Sequence, residues 1–117
     1  MDQTLNTLNH HLQSLRIGNI EEIMADYTED SQIIFEDNVI KGLLNIKVFF
    51  YDFITNILPF PIGTELEITH TQVSGALAYI IWKASTDKLT FKFGTDTFVI
   101  LNGKILHHTA AALIEPN

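Results

Sequence analysis

The chain changes its hydrophobic rhythm once, near residue 61. Before that point apolar residues recur at helical spacing, and beyond it they alternate as in strands. Leu5, Leu8, Leu12 and Leu15 mark one face of a helix over 5–17, which Gly18 ends. Asn19 then caps a second helix, with Glu22 three residues on in the capping-box position. Ile20, Ile23, Met24 and Tyr27 give that helix an inward stripe at i, i+3, i+4 and i+7. A short strand is expected over 31–35, after which EDN turns the chain into VIKG. A third helix over 43–58 would bury Ile46, Phe49, Phe50, Phe53, Ile54 and Ile57, and Pro59 and Pro61 stop it.

Four longer strands follow, over 64–74, 77–86, 90–101 and 104–114. They are separated by SG at 74–75, STDK at 85–88 and NG at 102–103. The last pair is the strongest turn signal, because both residues accept the positive φ of a type I′ hairpin. Helices first and an antiparallel meander after predict a single α+β domain over 1–117, with the helices on one face of the sheet. A two-residue loop sets Leu101 opposite Lys104. An unbroken register then sets Phe98 opposite His107 and Asp96 opposite Thr109, so Asp96, Phe98 and His107 share a face. A bulge would break that phase.

Both faces of the predicted sheet are apolar. Ala78, Ile80 and Trp82 lie on one side of their strand, and Leu77, Tyr79 and Ile81 on the other. Three helices cover one side only, whereas an antiparallel sheet left open to water usually has a polar outer face. A homodimer through the outer face of the sheet is therefore expected.

Composition narrows the functional classes. Apolar residues make up 46% and charged residues 18%, as in globular domains. The net charge is −7, and Glu21, Glu22, Asp26, Glu29, Asp30, Glu36 and Asp37 follow one another with no Lys or Arg between them. Nucleic-acid binding needs the opposite sign. No apolar run approaches the roughly 20 residues that span a bilayer. The polar start shows no secretory signal, and a cytoplasmic protein is expected. With no cysteine, thiol chemistry is absent. No nucleophile elbow, phosphate loop or dinucleotide fingerprint implies a cofactor. His107 and His108 point to opposite faces of a strand, and His10 and His11 diverge by about 100° on a helix, so no metal site is expected.

The segment LQSLRIGNIEEIMADYTEDSQIIFEDNVIKGLLNIKVFF resembles the opening of the nuclear transport factor 2-like superfamily in its SnoaL-like, ketosteroid-isomerase-like branch. Its pattern is a helix, a capped second helix, a short strand, and a glycine leading into a Phe-rich helix. GTDTFVILNGKI resembles a later strand of the same family, and the match in order and spacing extends over nearly the whole chain. The resemblance implies a cone-shaped fold, with three N-terminal helices packed on a curved, mainly antiparallel sheet and a pocket between them. It also implies that Asp96 matches the aspartate that ketosteroid isomerases keep protonated in an oxyanion hole. Their tyrosine donor falls at His11. Their general base falls at Phe35, and Asp37 reaches that place only by a two-residue shift, which argues against steroid isomerisation.

Asp96 lies among Phe93, Phe98, Val99 and Ile100, and a carboxyl buried there has to be neutral, paired or wet. A structural Asp bonded to Thr95, Thr109 or water is the plain alternative to a catalytic one. His11 and His107 are the candidate second catalytic groups, against the plain reading of satisfied boundary histidines. Tyr27, Phe35, Phe50, Trp82 and Phe98 are the candidate walls of a ligand pocket, or simply core. Such walls suit a small apolar molecule with a polar end, for example a ring ketone or a polyketide-like compound. Two functions stay open. One is a cofactor-free isomerase, cyclase or dehydratase working by proton transfer beside a carbonyl. The other is a non-catalytic ligand-binding or dimerisation module.

Overall fold

The computed structural model describes residues 2–117. The chain runs α1 (Gln3–Ile17), α2 (Ile20–Met24), β1 (Tyr27–Phe35), β2 (Asn38–Lys41) and α3 (Leu43–Asp52), which continues as a π-helical turn (Phe53–Ile57). Then come β3 (Glu65–Ser74), β4 (Leu77–Ser85), β5 (Leu89–Leu101) and β6 (Lys104–Pro116). The strands form one six-stranded, curved and unclosed sheet in the order β2-β1-β6-β5-β4-β3. β1 runs parallel to β6, and the other neighbours are antiparallel. The helices pack Leu8, Leu15, Ile23, Ile46 and Phe50 against Ile80, Phe98 and Ile105 of the sheet. No helix among the described residues is long and apolar enough to cross a membrane.

Local chemistry sets the helix ends. The Asp2 side chain accepts the Leu5 N–H at 3.0 Å, and Asn19 Oδ1 accepts the Glu22 N–H at 3.1 Å, as the sequence predicts for the second helix. Gly18 closes α1 at φ 68°, and a Cβ there would stand 2.6 Å from the Phe60 carbonyl oxygen. α2 is shorter than its apolar stripe predicts. It stops at Met24, and Tyr27 opens β1 instead of completing a helical face. The Asp26 carbonyl accepts the Ile105 N–H at 2.7 Å, which draws the chain into the sheet at that point. The third helix also changes character. After Asp52 it widens, with the Leu58 N–H reaching the Phe53 carbonyl at 2.8 Å. Ile54 and Leu58 are buried by this change, while Phe53 and Ile57 are left half-buried.

Asp26 is also the anchor of an ion pair on the far side of α1. Its Oδ2 lies 2.6 Å from His10 Nδ1, and Glu22 Oε1 lies 3.6 Å from His10 Nε2. The bond to Asp26 raises the His10 pKa above 6.5, against a smaller opposing effect of burial. Burial raises Asp26 as well, more than His10 lowers it. A raised histidine stabilises the fold below about pH 6.5 and loses that contribution as pH climbs through its folded pKa. His10→Gln keeps a hydrogen bond and removes the charge. Its stability deficit in urea titrations is expected to be largest near about pH 6 and to shrink above neutrality.

The β5–β6 hairpin corrects the sequence reading at its most important point. Asn102 and Gly103 have φ of 52° and 75°, and Leu101 faces Lys104 as the turn predicts. The register then slips by one residue between Ile100 and Val99, leaving Leu106 without an opposite number. Ile105 explains the slip. Its N–H goes to the Asp26 carbonyl, and its carbonyl accepts Ser31 Oγ at 2.6 Å. Beyond the bulge Phe98 faces His108, not His107, and Asp96 faces Ala110, not Thr109. His107 moves to the outer face, where Nδ1 lies 3.0 Å from Gln32 Nε2.

A second bulge at Lys92 brings both Phe91 and Gly94 to the helix-facing side. Gly94 is needed there for room, because a Cβ would overlap the indole ring of Trp82. Gly94→Ala is expected to cost about 1–3 kcal/mol through overpacking. Urea unfolding checks it, read on the fluorescence of the protein's one tryptophan.

Candidate functional site

Between the helices and the sheet lies a cavity of about 50 Å³. It sits in a recess of about 560 Å³ that includes the open mouth. One water needs only roughly 10–15 Å³, so the cavity holds more than an isolated water. Its walls are hydrocarbon and aromatic, from Leu12 and Leu15 of α1, Phe49 and Phe50 of α3, and Ile33 and Phe35 of β1. Its polar lining is Asp96, His108 and His11, beside Trp82.

Asp96 is fully engaged on the protein side. Its Oδ1 accepts Trp82 Nε1–H at 2.8 Å, and its Oδ2 lies 2.7 Å from His108 Nε2. His108 Nδ1 lies 2.9 Å from the Tyr27 phenol oxygen. His108 is 4% exposed and the Asp96 side chain 15%. Phe98 stacks on the His108 ring at 4.2 Å and 27°, which holds the imidazole in the plane of this chain.

The proton positions follow from counting donors. Burial, reinforced by the negative charge of Asp96, pushes the Tyr27 pKa well above 10, so the phenol keeps its hydrogen. Among the described residues its hydrogen-bond partner is His108 Nδ1. Tyr27 therefore donates to Nδ1, His108 carries its hydrogen on Nε2, and Nε2–H donates to Asp96. The indole N–H is only a donor. Both Asp96 oxygens thus accept, as in an ionised carboxylate. The reverse order would leave the buried phenol hydrogen without an acceptor, at a cost of about 1–3 kcal/mol.

His11 lies on the inner side of α1 and is 2% exposed. Its ring stands edge-on to Phe98 at 5.3 Å, His108 at 5.8 Å and Phe50 at 5.9 Å. Burial, with His108 adding to it, lowers its pKa to about 3, so the ring is neutral at pH 7. Its Nδ1 is enclosed and has no hydrogen-bond partner among the described residues. A carboxylate with a histidine–tyrosine chain behind it and a neutral imidazole lining the same cavity can accept a proton at one point and hydrogen-bond an oxygen at another.

No family model matches the sequence, and no curated protein matches it. Solved structures do match. A candidate ketosteroid isomerase from Kribbella flavida DSM 17836 superposes with a TM-score of 0.78 at 17% identity, over 95% of this chain and 78% of that one. A candidate SnoaL-like polyketide cyclase from Shewanella putrefaciens CN-32 gives 0.75 at 13% identity, over 96% and 80%. An LEH-like epoxide hydrolase of M. tuberculosis gives 0.74 at 13%, over 95% and 83%.

This chain has the nuclear transport factor 2-like fold. Identities this low carry the fold and not an activity.

Within the nuclear transport factor 2-like frame, Asp96, His11, Phe35, Phe50 and Trp82 line the cavity. Tyr27 and Phe98 stand one layer behind and hold His108. Phe35 packs against Phe49 at 6.0 Å, so the place where the resemblance puts a base is apolar. His108 is the residue that sequence reasoning missed. Ala110, Ala112 and Ile114 are in phase with it, but Ala111 and Leu113 are in phase with His107. Periodicity gave no way to choose between them. No group of three or more His, Asp or Glu side chains among the described residues could hold a metal ion.

Proposed function

We propose that this protein binds a small, largely apolar molecule by its polar end and moves a proton beside a carbonyl group of that molecule, without a cofactor. The observation that carries the reading is the pairing, in one apolar cavity, of the Asp96 carboxylate with the unpartnered, neutral His11. Asp96 takes the proton from the carbon next to the carbonyl. His11 donates a hydrogen bond to the carbonyl oxygen as negative charge builds there, a task suited to a neutral imidazole. The His108–Tyr27 chain holds the carboxylate in place and keeps its hydrogen-bonding pattern fixed. The names of two structural neighbours, a ketosteroid isomerase and a polyketide cyclase, agree with such a reading.

Deuterium exchange tests it. Cyclohexanone in D2O is expected to lose its α-hydrogen NMR signals faster with the protein than in buffer alone, and Asp96→Asn is expected to remove the gain. Perturbed cavity resonances without exchange would point instead to a non-catalytic binding module. Neither effect would refute both.

The same reading includes a homodimer. On the outer face of the sheet Phe93 pairs with Leu113, and the two are 50% and 58% exposed; Ile34 pairs with Val39, also exposed. Light scattering is expected to give twice the monomer mass at micromolar concentration, and the Phe93→Lys, Leu113→Lys double variant to give the monomer. A wild-type monomer would reject the pairing.

A further inference from the structure

We infer that the cavity selects molecules that carry a hydroxyl next to their carbonyl over plain ketones, and that it rejects carboxylates and phosphates. This rests on the cavity being the substrate site.

The inference comes from what the protein leaves unused. The Trp82 N–H is taken by Asp96, and both His108 nitrogens are taken, by Tyr27 and Asp96. A carboxylate offers about four lone-pair positions, and two of these accept from the protein. The remaining capacity in the cavity is therefore two acceptor positions on Asp96 and the imidazole of His11, which lines it. An ionised carboxylate can only accept, so the ligand atom that meets it has to donate. A hydroxyl does so, and a simple ketone has nothing to offer there. His11 stays neutral and can serve the carbonyl oxygen. His11 and Asp96 line the same cavity, so one small molecule can meet both groups.

Charge selection follows from the same lining. It contains no Lys or Arg. An incoming anion would face the Asp96 charge in surroundings where water screens little, and nothing cationic offsets it. The remaining wall is hydrocarbon and aromatic, so a carboxylate or phosphate would lose its water and gain no partner. A site built to hydrogen-bond a hydroxyl discriminates strongly against the analogue that lacks it, because its own buried polar group is then left unpaired.

Four probes of one ring size separate the outcomes: 2-hydroxycyclohexanone, cyclohexanone, cyclohexanecarboxylate and cyclohexylammonium, titrated by NMR against the wild type, Asp96→Asn and His11→Leu. The hydroxyketone is expected to bind at least about 10-fold more tightly than cyclohexanone, with no saturable binding of the carboxylate. Asp96→Asn is expected to shrink that preference to less than about threefold. His11→Leu, which keeps the carboxylate, is expected to weaken both ketones and still refuse the carboxylate. Binding of the ammonium would support the inference, because a cationic donor meets the same free acceptor positions. Equal binding of the two ketones would overturn the inference and leave the proposed function standing, and so would tight binding of the carboxylate. A hydroxyketone preference without any proton exchange would do the reverse. If no probe shifts cavity resonances, both fall.

Discussion

Replacing Asp96 with Asn is expected to slow α-proton exchange about 10²–10⁴-fold, the range for losing a positioned general base. Asn is nearly the same size, so the cavity keeps its shape. What changes is the hydrogen-bond direction. Asn can still accept the Trp82 N–H on its oxygen, but its NH2 then faces His108 Nε2, which carries a hydrogen in the wild type. Relief requires the imidazole to move its hydrogen to Nδ1, against the phenol hydrogen of Tyr27. The variant is therefore expected to be less stable as well, by about 1–3 kcal/mol, the cost of one idle buried donor. Exchange rates by NMR and urea midpoints measure the two effects separately. An Asn variant as active as the wild type would remove Asp96 from the chemistry.

His11→Leu is expected to act in opposite directions on stability and function. The wild-type ring is fully enclosed, and Nδ1 lacks a hydrogen-bond partner. Leu fills similar space among Phe98, Phe50 and Leu12 and carries no polar atom to strand. A gain of about 1–3 kcal/mol in unfolding free energy is expected, together with loss of most of the exchange activity. Calorimetric or urea unfolding reads the first and deuterium exchange the second. A structural histidine would give the opposite result on stability, since its removal would cost packing and bonds. The neutral ring also makes a pH statement. With a folded pKa of about 3, far below 6.5, His11 has to lose its proton to fold, so acid destabilises the wild type more than the Leu variant through the range below pH 6.5.

Most of the architecture was legible because the signals there are local. Asn19, Gly18 and the Asn102–Gly103 pair act within a few residues of themselves, and each does in the fold what its chemistry dictates. The errors came where distant backbone overrode local pattern. Tyr27 has the right spacing to finish a helix, yet β1 takes it, because Asp26 is tied to Ile105. The phase of β6 was set by the same bond and by Ser31, more than seventy positions away. Asp96 was legible as a carboxyl needing a partner. The partner itself was not, because a single unpaired residue decided between two adjacent histidines.

That unpaired residue is where the last strand takes up an odd count of positions. Deleting Leu106 would remove the bulge and leave Ile105 facing Ile100, His107 facing Val99 and His108 facing Phe98, so every later side chain would keep its side of the sheet. Lineages that lost that one codon would therefore keep both the architecture and the imidazole beside Asp96, although their sequence alternation would read differently. Divergent copies should be aligned on the strand's hydrogen-bond ladder before their histidines are compared.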